Sequence, residues 1–176
     1  MSTLYPIVYK KTSPCIIADD VIGSKQFSLQ EELLIPKEKP DVEEIDEVKI
    51  EFCIDSLSLV PIIDKRCQQL SLKLIISGII KEKLIYIADL PSQPVHLAHF
   101  NTPFCTFTLL EFDIALKKDI SCLESKLSHL EEYLHVDPCV EAILIREVNS
   151  YRFIKCMTIL ISVVGNLDNL IDKIKG

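Results

Sequence analysis

The chain predicts a mainly β protein: an antiparallel β-sandwich or jelly-roll-like domain, with one mid-chain amphipathic helix and a short C-terminal helix. Three observations predict it. Runs rich in Ile, Val, Leu, Tyr and Phe recur at strand length, and such side chains suit a pleated, half-buried surface. The stretch from Leu70 to Phe107 reads as two long strands around the polar loop Asp89–Pro94. The runs follow one another without regular βαβ alternation, which favours antiparallel pairing.

Residues 1–26 read as an arm. Pro6, Pro14 and Gly23 interrupt short apolar runs, and no helical period is present. The arm's apolar residues Leu4, Tyr5, Ile7, Val8, Ile16 and Ile17 would be exposed on a lone extension. Exposed strand segments invite pairing with another edge. The expectation is that Leu4 to Ile17 packs against a neighbouring subunit; the alternative is that the arm completes its own sheet as an edge strand.

Phe27 to Ile35 alternates, with Phe27, Leu29, Glu31, Leu33 and Ile35 on one side, and predicts a strand. Pro36 and Pro40 end it. Asp41, with Glu44 three residues on, has the spacing to cap a short turn. Val48 to Leu59 is a further strand with a bend at Asp55-Ser56, and Pro61 to Asp64 is a connection. Gly78, inside the first long strand, marks a bulge or a close backbone approach. Ile76, Ile80, Tyr86, Phe100 and Phe104 are the expected core of the long hairpin.

Ile120, Leu123, Leu127, Leu130 and Leu134 form the stripe of an amphipathic helix, with Ser121 and Glu124 at capping-box spacing and Pro138 as its stop. Cys139 to Val148 and Phe153 to Val164 predict two strands around the turn Asn149–Arg152. Asn166 caps the expected terminal helix, which carries Leu167, Leu170, Ile171 and Ile174 on one face. The domain reading is therefore an arm (1–26), a β domain (27–165) and a terminal helix (166–176).

Composition excludes several functions. A net charge of −7 argues against a nucleic-acid partner, which needs a basic face. No apolar run reaches the roughly 18 residues of a membrane span. The N-terminus lacks the order of a signal peptide, which predicts synthesis in a cytoplasm. There is no GxSxG, Gly-rich phosphate loop or HExxH. His96 and His99 fall on opposite faces of a strand, so they cannot share an ion without a bulge. His129 and His135 are six apart and do not meet on a helix. The acidic run Asp41 to Glu47 reads as a solvated face. No enzyme activity, cofactor or metal is expected.

The seven cysteines form no CxxC pair. Cys53, Cys105 and Cys156 lie in apolar or alternating runs and read as buried free thiols. The sharper reading is cross-linking between chains, with Cys15, Cys122 and Cys139 as candidates, because an odd count leaves at least one thiol unpaired within the chain.

Four words in order, IPKEKPDVEEI (Ile35–Ile45), SGIIKEKLIYIAD (Ser77–Asp89), QPVHLAHFNTPFCTF (Gln93–Phe107) and VEAILIREVNSYRF (Val140–Phe153), closely resemble the SPOCS domain of endospore-forming bacteria, over about Phe27 to Val164. The resemblance assigns Pro36, Pro40, Tyr86, His96, His99, Phe100 and Phe104 to the family's structural motif. It implies a β-rich domain with a non-enzymatic role in building the spore envelope. In the family's best-known setting such domains precede a LysM domain, whereas here only Asn166 to Gly176 follow. The expectation is a self-assembling structural component of the coat, exosporium or an appendage. Its subunits would join by strand or arm exchange and by disulfides. Its partners would be copies of itself and other spore-envelope proteins. It would be made in the mother-cell cytoplasm and deposited on the spore surface. The alternative is a binding module that recruits another coat protein or a glycan.

Overall fold

The computed structural model describes residues 7–17, 19–64, 69–115, 127 and 130–166. Its strands are β1 (Ile7–Thr12), β2 (Val21–Leu34), β3 (Val42–Asp64), β4 (Gln69–Ala88), β5 (Val95–Ala115), β6 (His135–Asn149) and β7 (Arg152–Val164). Every pairing is antiparallel. A four-stranded sheet, in the order β1-β6-β7-β2, faces a three-stranded sheet, β3-β4-β5. Among the described strands this is a four-on-three sandwich rather than the four-on-four of a jelly roll.

Period-two alternation builds both layers. On β4 every second residue from Leu72 to Ala88 is buried, with Leu72, Leu74, Ile76, Ile80 and Tyr86 at 0% exposure. On β7 Phe153, Met157, Ile159, Ile161 and Val163 are likewise buried. These two central strands supply the middle of the core, and full burial of each large side chain contributes about 1.5–3 kcal/mol. Phe104 on β5 joins the layers. Its ring stacks on Phe27 of β2 at 6.1 Å and meets Phe52 of β3 edge-on at 6.2 Å.

Gly78 answers to a bulge, as its place in the strand suggested. The β3–β4 register shifts between Ile54 and Ser56, so Asp55 is the extra residue. The bulge drives the β3 backbone over Gly78: a Cβ there would overlap the Cys53 carbonyl oxygen and lie 3.0 Å from the Phe104 ring.

Several boundaries move. β2 begins at Val21, so the arm is shorter than 26 residues. β3 runs on both sides of Val48–Leu59, so Asp41 caps no turn and Pro61–Asp64 is strand. Pro61 is tolerated because β3 is a sheet edge, where a missing N–H leaves no ladder partner unsatisfied. Pro138 lies in β6, at Ile161 of β7 and beyond the last β1 partner, rather than stopping a helix. The amphipathic helix over Ile120–Leu134 lies mostly outside the described residues. Leu127 and Leu130 are described there, helical in backbone and buried, and Glu131–Tyr133 form a 3-10 turn. The terminal helix after Asn166 lies outside the described residues, so the structure supports neither helix. Phe100 is half-buried rather than core.

Within the single chain the arm takes the second of its two expected courses. Its described strand, β1, pairs with β6 of the same chain, from Ile7 opposite Arg146 to Thr12 opposite Ala142. It completes its own sheet as an edge strand, because β6 leaves that edge free. Leu4 and Tyr5 lie outside the described residues. Ile16 and Ile17 stay exposed, at 90% and 56%.

Candidate functional site

Three features stand out from the scaffold. The first is the end of the sandwich where three loops meet. Val42 N–H donates to the Ser150 carbonyl at 2.8 Å and Ile35 N–H to that of Tyr151 at 2.9 Å. Asp89 N–H donates to the Asp41 carbonyl at 2.9 Å, and the Ser150 hydroxyl donates to the Asp41 carboxylate at 2.6 Å. These bonds tie the Pro36–Pro40 loop to the Asp89–Pro94 loop and to the Asn149–Arg152 turn. Parts of all four family-like words therefore sit at one end. Tyr86, fully buried beneath them, donates its hydroxyl to the Pro40 carbonyl at 3.2 Å. Burial holds its phenol above the usual range, with Asp41 adding to the effect, so it stays a donor. Gln93 takes φ 46°, a left-handed conformation that costs a non-glycine residue energy. Its amide nitrogen donates to both Glu43 carboxylate oxygens, at 2.9 and 2.8 Å, which holds it there. The loop end presents Leu90 and Tyr151 to solvent.

Among the motif residues, His96 faces inward and stacks on Tyr86 at 5.8 Å, while His99 is exposed on the outer face. The two are not brought together. Pro36 is exposed, Pro40 half-buried and Phe104 core.

The second feature is a buried ion bridge. Lys155 of β7, with no exposed side-chain surface, reaches Glu31 of β2 at 2.8 Å and bonds Glu82 of β4 across the sandwich. Thr102 donates to Glu82 Oε1 at 3.1 Å, while Glu82 Oε2 is buried without a partner. Burial pushes both carboxyls up. At Glu31 the hydrogen bonds from Lys155 and Thr102, with the Lys155 charge, outweigh it and hold the group below its ordinary value. At Glu82 burial prevails over Lys155 and the carboxyl sits above it. The signal was in the alternation: Glu31 lies on the apolar side of its strand, Glu82 between Ile80 and Leu84, and Lys155 between Phe153 and Met157.

The third feature is the arm latch. Cys15 forms a disulfide with Cys139 of β6, with Cα atoms 5.9 Å apart, across 124 residues of sequence. Two of the three cysteines expected to link chains are thus joined within one, because β1 pairing brings them opposite each other. Cys122 lies outside the described residues. The three thiols read as buried are not: Cys105 is exposed, Cys53 and Cys156 half-buried. Cys53 and Cys105 fall on the outward parity of β3 and β5. Two clefts, of 310 and 170 Å³, follow the seam between β1 and β3, lined by Lys11, Ser13, Glu47 and Lys49 in one and Val8, Glu43, Glu44 and Glu147 in the other. Neither pairs a nucleophile with a base.

Among the described residues, no group of three or more His, Cys, Asp or Glu side chains is placed to hold a metal, and no helix is long and apolar enough to cross a membrane. No curated protein and no solved structure matches the chain. The family model described as SipL, SPOCS domain matches residues 41–131, which takes in β3, β4 and β5 whole and covers more than half of the 176 residues. With its words gathered at one end of a β-sandwich, the chain belongs to the SPOCS domain family, a family of sporulation proteins.

Proposed function

We propose that this sporulation protein is a non-enzymatic, self-assembling structural component of the bacterial spore envelope, made in the mother-cell cytoplasm and deposited on the spore surface. The observation that carries the reading is the arm: one edge strand, seated by its pairing with β6 and clamped by Cys15–Cys139. The same pairing, made with β6 of a neighbouring copy, is the arm exchange that would join subunits. The hinge would be the exposed Ile16-Ile17 stretch. The disulfide would clamp the exchanged arm once the mother cell lyses and the surroundings turn oxidising.

Size-exclusion chromatography with negative-stain microscopy tests it, on the full chain and on a chain lacking residues 1–20. Ordered fibres or sheets from the full chain, lost on truncation while circular dichroism stays β-rich, support the reading. A clean small species from both sinks it. That outcome would favour a second reading, a module that recruits another coat protein through the rigid loop end bearing Leu90 and Tyr151.

A further inference from the structure

Among the described residues nothing covers the outer face of the β3-β4-β5 sheet, and apolar side chains gather at its two ends. Six large apolar residues are exposed on it: Val60 40%, Ile62 41%, Val95 65%, Leu97 37%, Phe107 42% and Leu109 48%. Half-buried Ile75, Ile79, Ile85 and Ile87 of β4 run between them. Polar rows cross the middle of the face, Lys49, Lys83 and His99 in one and Glu51, Lys81 and Asn101 in the next, so the apolar area lies as a patch at each end. Here β4 is 20 residues long. At about 3.3 Å per residue and about 4.8 Å between strands, a three-stranded face spans on the order of 900 Å². A stable specific contact buries about 800 Å² per partner.

We propose that this face docks against the same face of a second copy, with the strands of the two copies running in opposite directions about a two-fold axis. The register selects that arrangement. Across the sheet, Leu97 pairs with Ile85 near one end, and Phe107 pairs with Ile75 near the other. Between them lie the charged row Lys81 and Lys83 and the neutral row Ser77 and Ile79. Reversal about the line between Ile79 and Lys81 sets Leu97 and Ile85 over Phe107 and Ile75 of the second copy. It also sets Lys81 over Ile79 and Lys83 over Ser77 of that copy, so no lysine of β4 meets a lysine. Stacking with strands in the same direction would set Lys81 on Lys81 and Lys83 on Lys83, which like-charge repulsion disfavours. In the single chain, Lys73 Nζ lies 3.9 Å from the Phe107 ring centroid, a cation–π contact that partly shields this apolar end from water. A two-fold contact closes on itself, so it builds a pair, and arm exchange would then join pairs.

This inference rests on the self-assembly reading, and the test separates the two. Sedimentation velocity of the full chain is compared with Leu97→Lys, Phe107→Glu and the double variant. Each single change should weaken association about 100-fold. The double variant should recover it in a salt-sensitive way, because the reversed axis sets each new lysine opposite a new glutamate of the other copy. Circular dichroism checks folding. Should either single variant misfold, Val95→Lys with Leu109→Glu repeats the cycle one row outward. Association that all variants share unchanged overturns the face and leaves self-assembly standing. Singles that weaken association without recovery in the double overturn the reversed axis. A parent chain that stays monomeric overturns both.

Discussion

The two sheets share one inner core and differ on their outer faces. On the four-stranded sheet the outward side chains bond to each other: Gln26 to Glu141 at 2.6 Å, Ser28 with Thr158 at 3.5 Å, Cys156 to Gln30 at 3.6 Å, and Arg152 to Glu32. On the three-stranded sheet the outward polar groups bond along the middle, Ser56 with Ser77 at 2.7 Å and Cys53 to Glu51 at 3.7 Å, while exposed Val60, Ile62, Val95, Leu97, Phe107 and Leu109 occupy the two ends. The first face bonds its polar groups and exposes large apolar side chains only at its margins, Ile7 and Leu34, among the described residues. The second leaves apolar area in water, which costs free energy until something covers it. The strands of the second sheet all lie within the family match, and β6 and β7 lie outside it. Inward side chains set the sandwich, while outward ones, which stability tolerates in several forms, decide where apolar surface meets water.

The bridge between the sheets gives the largest expected effect. Lys155→Met should strand Glu82 as an unpaired buried carboxylate and cost about 3–5 kcal/mol by urea unfolding. Adding Glu82→Leu should recover most of that loss, and a double variant as unstable as the single would mean that the lysine matters for packing rather than for charge. Phe104→Ala should cost a similar amount, about 3–5 kcal/mol, because the ring touches both layers. A loss within about half a kcal/mol would show that the layers are held elsewhere.

Breaking the latch should separate the sheets more finely. Cys15→Ser should cost about 2–4 kcal/mol under oxidising conditions. Hydrogen exchange should quicken in β1 and β6 and stay unchanged in β3, β4 and β5. Equal quickening everywhere would show the latch to be a global rather than a local constraint.

The smallest effect is on pH dependence, and its two contributions oppose each other. Glu31, held below its ordinary value, adds stability that is present above the unfolded carboxylate range and lost as pH falls through the folded value. Glu82, held above, adds stability that is present below that range and lost as pH rises through its folded value. Glu82→Gln should therefore remove the fall in stability above the carboxylate range and keep the fall on acidification. An unchanged profile in denaturant titrations across pH would exclude Glu82 as the titrating group.

Much of this was legible along the chain. The β-branched and aromatic runs between Leu70 and Phe107 mark two strands around a polar loop, and strand parity set His96 and His99 apart. Gly78 announced its bulge, because only a side chain of one hydrogen leaves room for a crossing backbone. The cysteines were misread for a physical reason. Parity fixes which face a residue takes, yet whether that face is covered depends on what packs on it, and Cys105 takes the exposed outer face. The ion bridge was missed for the complementary reason: Glu31, Glu82 and Lys155 stand on apolar parity, but their partners are far apart in sequence.

By itself the sequence determined the β class, the long hairpin, the kink at Gly78 and the resemblance to its family. These rest on local chemistry, in side-chain period, proline, glycine and contiguous words. The folded chain alone shows that β1 returns to its own β6, that Cys15 meets Cys139, that the family words meet at one end and that one sheet exposes apolar patches at both ends of its outer face. Each is a relation between segments far apart along the chain, and strand order, which no local pattern encodes, sets which of them touch.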